Sequence, residues 1–292
     1  MQNKTLIGKL VSTRDRHPQV HVGVPIFWRD KKGNMPKPMQ PLPAGSIGDG
    51  TWAPFEPNII SYFEGKEPIT LLEDVKRMES TVNGRGELLY VWNPHCEIGT
   101  DQEALHPEFV AAFRRWELRQ LALVYHREKG MYPFRDAYSF VEAVYPHPDV
   151  AETRPDLTMI RIFEKSHHIY VMGFAENFCV ASGCRSIVRL GGSQVAQKMT
   201  ILSDCVAEIP GVPSTIPNKT LTEVFRDEMS QAGVTFMESS NAVQKIKDEG
   251  VPITILAVDF NIGFTVEGMP LFVPNSSEAV LKSIKFIDYL IS

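Results

Sequence analysis

At 292 residues, 43% hydrophobic and 22% charged, the chain has the makeup of a soluble globular protein with room for one large α/β domain or two small ones, and its composition argues against disorder. A formal charge of −5 and a pI near 5.9, with lysines and arginines not gathered into a basic run, argue against a nucleic-acid partner. Apolar runs such as Leu88 to Trp92, Leu121 to Tyr125 and Ile253 to Val258 are too short to span a bilayer, Met1-Gln-Asn-Lys opens no signal-peptide pattern, and Cys96, Cys179, Cys184 and Cys205 show no paired CxxC spacing. The expectation is a cytoplasmic protein with reduced thiols, no membrane contact, and neither a disulfide framework nor a zinc knuckle.

Short β-rich runs alternate with helical patterns, which predicts a mainly parallel, doubly wound six-stranded sheet with helices on both faces. In chain order the strands are Ile7 to Thr13, Leu88 to Trp92, Leu121 to Tyr125, His168 to Gly173, Lys198 to Asp204 and Ile253 to Asp259. The helices are Pro107 to Glu117, Phe178 to Leu190, Leu221 to Gln231 and Ser276 to Ile291, the last apolar at Val280, Ile284, Ile287 and Leu290. No internal repeat stands out. Between Val22 and Glu87 the rhythm breaks: prolines cluster in Pro36-Lys-Pro38 and Pro41-Leu-Pro43, with one helical patch near Ile69 to Met78. A segment this long exceeds an ordinary connection of about 2–6 residues, so it reads as an insertion or lid within a single domain, residues 1–292.

Four places carry candidate chemistry. In Ser12-Thr-Arg-Asp-Arg-His-Pro18 a strand ends in Asp15 and His17, two residues apart and therefore on one face of extended backbone, with Pro18 holding the preceding residue away from the helical region. An oxygen and an imidazole suit a divalent metal, although the pair in isolation reads first as an Asp–His hydrogen bond at a loop; His95 in Trp92-Asn-Pro-His-Cys96 offers a third ligand at another strand end. Lys129 follows a strand, and Asp259 closes the apolar run Ile253-Thr-Ile-Leu-Ala-Val-Asp. Alone, the one reads as a surface lysine and the other as a turn cap. Cys179 begins the helix after Ile169-Tyr-Val-Met-Gly-Phe-Ala175, where unpaired N–H groups and the helix dipole favour a thiolate, yet a buried structural cysteine is the competing reading.

The set Asp15-x-His17-Pro18, Trp92-x-x-His95-Cys96-x-x-Gly99-Thr100, Lys129-Gly130 followed by Asp136-x-Tyr138-Ser139, and Gly173-x-Ala175-x-x-Phe178-Cys179-Val180 resembles the nicotinamidase branch of the isochorismatase-like cysteine hydrolases. The likeness covers most of the chain outside the insertion. That family carries its aspartate on the first strand; here the matching stretch, Val258-Asp259-Phe-Asn-Ile-Gly-Phe264 with Gly268-Met-Pro-Leu271 and Val273-Pro274, comes last. The resemblance therefore implies a circular permutation, residues 253–292 being the family's first strand and helix, 221–239 its last helix and strand, and Ser240 to Val251 a new bridge. The other reading is that 253–291 is merely one more strand and helix.

Carried over residue by residue, the resemblance implies Cys179 as nucleophile, Asp259 as base and Lys129 as the cation that stabilises the charged pair. It implies an oxyanion hole at the backbone N–H groups of Ala175 and Cys179, with a cis peptide at Phe174–Ala175. Asp15, His17 and His95 would hold a divalent ion, zinc first, with iron or manganese as alternatives, and Trp92, Phe264 and Phe174 would contact substrate. The expected reaction cleaves nicotinamide or a similar heteroaromatic carboxamide to the acid and ammonia through an acyl-thioester, in a homo-oligomer serving NAD salvage. Asn261, Gly263, Gly23 and Glu176 depart from the family's usual glutamine, aspartate, serine and threonine. Two alternatives stand: a metal-independent amidase acting on a small acyclic amide, and a non-catalytic binding protein on this scaffold. His21, His106, His126, His147, His167 and His168 read as surface or loop histidines, and Cys184 and Cys205 as core.

Overall fold

The computed structural model describes residues 5–55, 71–84, 88–136, 138–212, 214 and 216–292. Met1 to Lys4, the insertion's residues 56–70 and 85–87, and the start of the helical patch at Ile69 lie outside the described residues.

Six strands build the central sheet: β1 (Ile7–Asp15), β6 (Tyr125–Lys129), β7 (Ile169–Phe174), β8 (Met199–Ala207), β9 (Thr235–Met237) and β10 (Ile253–Val258). Their spatial order is β6-β1-β10-β7-β8-β9, and every neighbouring pair is parallel. The chain's last strand thus lies in the middle. All six residues of β7 and all six of β10 are buried, which is why both read as unbroken apolar runs rather than alternating ones. The α/β architecture is as expected.

Two layers of helices cover the sheet. On one side α8 (Ser276–Ile291), which follows the short α7 (Ile262–Thr265), packs on β7 and β8 and touches α2 (Pro107–Gln120) and α6 (Ser239–Glu249); on the other, α4 (Ala181–Ala196) touches α3 (Leu157–Lys165) and α5 (Leu221–Ala232). The helical spacing of α8 sends Val280, Ile287 and Leu290 into the core, each worth about 1.5–3 kcal/mol of burial. Trp116 on α2 donates its indole N–H to Ile7 O at 3.0 Å, fixing that helix over β1. Leu6 N donates to Leu290 O at 3.3 Å, so the described ends of the chain meet.

Two expected strands differ from what forms. Leu88 to Trp92 contributes only β5 (Tyr90–Val91), and this strand pairs antiparallel with β3 (Gln40–Pro41) outside the central sheet. Its place as sixth strand is taken by β9. Leu121 to Tyr125 is not a strand, because Leu121 adopts a left-handed conformation as the cap of α2, leaving Leu121 and Leu123 80% and 83% exposed; β6 begins only at Tyr125. The expected bridge Ser240 to Val251 is mostly helix α6, with Gly250 as its left-handed cap.

The insertion has a core of its own. Phe27, Trp28, Leu42 and Ile47 pack with Val75 and Met78 of α1 (Leu71–Gly84), and β2 (Trp28–Asp30) pairs with β4 (Trp52–Pro54). One buried ion pair sews it to the domain: Arg135 meets Asp74 of α1 with both guanidinium nitrogens, one of them at 2.9 Å. No helix among the described residues is long and apolar enough to cross a membrane.

Candidate active site

The carboxyl ends of the parallel strands converge on one pocket of about 550 Å³ of empty space, part of it open to solvent. Asp15 ends β1, Lys129 ends β6, Asp259 follows β10, and Cys179 lies in a single π-helical turn, Glu176–Val180, between β7 and α4. The helix proper starts at Ala181, two residues later than expected. The Phe174–Ala175 peptide is cis, and Ala175 O accepts the N–H groups of Phe178 and Val180 at 3.0 and 3.2 Å. Gly173 makes this exit from the strand feasible: at φ 128° beside Val258, an added Cβ would sit 2.0 Å from Val258 O.

Charge runs through the site in a chain. Lys129 Nζ lies 2.7 Å from Asp15 Oδ1 and 3.1 Å from Asp259 Oδ2, the latter outside the angles of an aligned hydrogen bond. Thr13 donates its hydroxyl to the other Asp259 oxygen at 2.6 Å, and the Asp259 N–H returns to Thr13 O and Oγ1. Burial raises the Asp259 carboxyl above its ordinary range, with Lys129 opposing and Asp15 adding to the rise. Burial would raise Asp15 too, but the positive charge of His17 and Lys129 and hydrogen bonds from both imidazoles bring it well below the usual carboxylate range.

The thiol behaves against expectation. Cys179 is 8% exposed, and burial pushes it well above an ordinary thiol; Lys129 pulls it down, while Asp259 and Asp15 push it further up. Desolvation therefore overrides the helix-terminus effect that the sequence suggested, and the resting form is the thiol.

Asp15, His17 and His95 form one cluster, their ligand atoms within 4.8 Å of one another. His17 Nδ1 bonds Gly130 O at 3.1 Å and His95 Nδ1 bonds Asn93 O at 2.7 Å, so each ring spends its Nδ1–H on a backbone carbonyl. Both Nε2 atoms then face Asp15 Oδ2, at 2.9 and 3.4 Å: protonated, they donate to it, and once deprotonated they set two lone pairs beside a carboxylate oxygen. Three electron-rich atoms converging on one point call for a cation there, and the backbone bonds orient the ligands as second partners do in metal sites. Burial lowers His95, which keeps its lone pair available. The donor set of one carboxylate and two imidazoles fits a divalent transition metal.

Asn261 supplies what sequence reasoning did not assign. Fully buried, it accepts the Asp15 N–H at 3.2 Å and donates to Asp15 O and Glu103 O at 2.8 Å each, continuing the β1 to β10 pairing beyond the sheet's end with a side chain. Glu176, the first residue of the turn that holds Cys179, is buried and held bidentately by Arg226 of α5 at 2.7 and 2.9 Å.

Trp92 and Phe264 border the pocket. Phe174 does not: it is fully buried and packs on Phe260 with ring centroids 5.0 Å apart, because the inward side of β7 at that position faces the core. His21, read from sequence as a surface histidine, is 5% exposed, borders the pocket and stacks on His17; His147 is buried as well. Cys184 and Cys205 are fully buried, as expected.

No protein-family model matches the chain, and no curated protein sequence does. Among solved structures it is similar to an Acinetobacter baumanii nicotinamidase and pyrazinamidase at 18% identity, over 81% of this chain and 80% of that one, with a TM-score of 0.43. It is also similar to the yeast nicotinamidase bound to nicotinaldehyde, at 16% identity over 79% of each chain with a TM-score of 0.47. An L. infantum protein in complex with nicotinate is 15% identical over 80% of this chain and 96% of its own, with a TM-score of 0.37. At these identities the likeness is one of fold alone.

Proposed function

We propose that the chain is a cysteine-dependent amidohydrolase that cleaves nicotinamide, or a closely similar heteroaromatic carboxamide, to the acid and ammonia. One observation carries this reading: a buried thiol, a carboxylate base, a lysine between two carboxylates and a lone-pair cluster all meet at one pocket. A binding protein would have no use for a buried ammonium, two buried carboxylates and a thiol in mutual contact, since each is costly to desolvate.

The chemistry follows from the geometry. Asp259, raised by burial, takes the Cys179 proton as the thiolate attacks the carboxamide carbon, and Lys129 balances the charge that develops. The oxyanion forms against the backbone N–H groups of Ala175 and Cys179. Asp259 returns the proton to the departing nitrogen, ammonia leaves, and the acyl-thioester remains on Cys179. Water, activated by the same carboxylate, then releases the acid and restores the thiol. Asp15, His17 and His95 would hold a divalent ion, zinc first and iron or manganese as alternatives, which when bound would supply a Lewis acid towards the ring's lone pair. Trp92 and Phe264 line the space for the ring.

We also read the chain order as permuted. Numbering the strands with β10 first turns β6-β1-β10-β7-β8-β9 into 3-2-1-4-5-6, the common order of doubly wound sheets, with the switch point between β10 and β7 where Asp259 and Cys179 lie. The meeting of Leu6 and Leu290 makes the corresponding join short.

The test is ammonia release from nicotinamide by purified protein, stripped by chelation and then restored with zinc, with Cys179→Ala as control. Metal-dependent release that vanishes in the variant supports the reading; absence of release from nicotinamide and from pyridazine-4-carboxamide with zinc bound refutes it.

A further inference from the structure

His21 is a buried ring whose hydrogen bonding is half accounted for. Its Nδ1 accepts the Gly23 N–H at 3.1 Å, so the lone pair is at Nδ1 and the ring proton is at Nε2. Among the described residues, no acceptor takes that proton, and Nε2 is not sealed among the buried, unpartnered atoms. The ring is 5% exposed and borders the pocket that Cys179 and the Asp15, His17 and His95 cluster also border. His21 is thus a nearly buried residue of the pocket wall. A free N–H donor in an otherwise desolvated wall is a recognition element, because a ligand that leaves it unpaired forfeits a hydrogen bond.

Its placement is constrained on two sides. The ring stacks on His17 with centroids 4.2 Å apart and planes 6° from parallel, one stacking distance from a cluster ligand. Gly23 leaves the room: an added Cβ there would come within 2.9 Å of His21 Cε1, and Gly23 O is fixed by the Trp92 N–H at 2.7 Å. His21 is not part of the Asp15, His17 and His95 cluster, and its protonated Nε2 has no lone pair to give a metal.

We propose that His21 selects the substrate: its Nε2–H pairs with a second hydrogen-bond acceptor on the ring, adjacent to the lone pair that faces Asp15, His17 and His95. The inference rests on the carboxamide reading above and narrows it to heteroaromatic carboxamides with two neighbouring acceptors. Nicotinamide has the first acceptor and lacks the second.

Calorimetry with zinc-restored Cys179→Ala protein tests this without turnover, comparing nicotinamide with pyridazine-4-carboxamide, which adds a ring nitrogen beside the first. The diazine should bind about tenfold tighter, the upper range for one hydrogen bond between neutral partners. His21→Asn keeps an acceptor for the Gly23 N–H but lacks a donor reaching the Nε2 position, and should bring the ratio of dissociation constants to about one. His21→Gln restores a donor at that reach and should recover part of the preference. A ratio that His21→Asn does not change overturns the proposal, as does loss of bound zinc in His21→Asn, which would make the residue a ligand. Ammonia release by the unmodified protein is read separately. His21-dependent selectivity without release refutes the hydrolase reading and leaves His21 standing; release with a ratio indifferent to His21 does the reverse; failure of both amides to bind overturns both.

Discussion

Lys129 Nζ lies 2.7 Å from Asp15 Oδ1, so the ammonium that faces Asp259 is also bound to the carboxylate shared with His17 and His95. The Asp15, His17 and His95 cluster and the buried Lys129 and Asp259 are thereby one electrostatic unit. Lys129→Met should leave two buried carboxylates without their common partner, at a cost of about 3–5 kcal/mol in unfolding free energy measured by urea titration. A change below about 1 kcal/mol would mean the charges are solvated in the folded protein.

The thiol should report the same charges through pH. Burial holds Cys179 above an ordinary thiol, Lys129 lowers it, and Asp259 raises it. Removing the carboxylate in Asp259→Asn should move the alkylation profile of Cys179 to lower pH, and removing the ammonium in Lys129→Met should move it to higher pH. Iodoacetamide rates followed by mass spectrometry of the Cys179 peptide check both signs. Shifts in the same direction would refute the charge assignment.

Activity should separate nucleophile from base. Cys179→Ala should abolish ammonia release, because no bond to the acyl carbon can form. Asp259→Asn should lower it by about 10² to 10⁴, the usual worth of a positioned general base. Initial rates on nicotinamide at saturating zinc make the comparison.

Zinc should stabilise the fold through three side chains. At a hundredfold excess over its dissociation constant a ligand that binds only the native state adds about 2.7 kcal/mol. The shift in melting temperature on adding zinc should be present in Cys179→Ala and lost in His95→Ala and in His17→Ala. A shift surviving in either histidine variant would place the ion elsewhere.

Glu176 and Arg226 should behave as a pair. Arg226→Ala leaves a buried carboxylate in the turn that holds Cys179 without its two donors, and because the arginine is half exposed the cost should be about 1–3 kcal/mol. Glu176→Thr combined with Arg226→Ala removes both charges and should lose less than Arg226→Ala alone, as a double-mutant cycle in urea would show.

Much of this protein is legible before folding. The unbroken apolar runs of β7 and β10 identify buried parallel strands because both faces of such strands are covered, and the periodicity of α8 delimits Ser276 to Ile291 because one stripe of a helix must face a sheet. The same string of residues sets Asp15, Lys129 and Asp259 at the ends of central strands and His17, His95 and Cys179 in the segments that follow strands. Tertiary structure alone decided the rest. Whether Leu88 to Trp92 joins the main sheet depends on where the insertion's β3 lies to receive it, and the strand content of Leu121 to Tyr125 gave way to a helix cap. Local pattern cannot see burial of charge: desolvation reversed the expected ionisation of Cys179, and the closing of the pocket turned His21 from a loop residue into part of its wall. Electrostatics and recognition depend on what surrounds a group in space, and neighbours such as Thr13 and Asp259, 246 positions apart in sequence, meet only when the sheet is assembled.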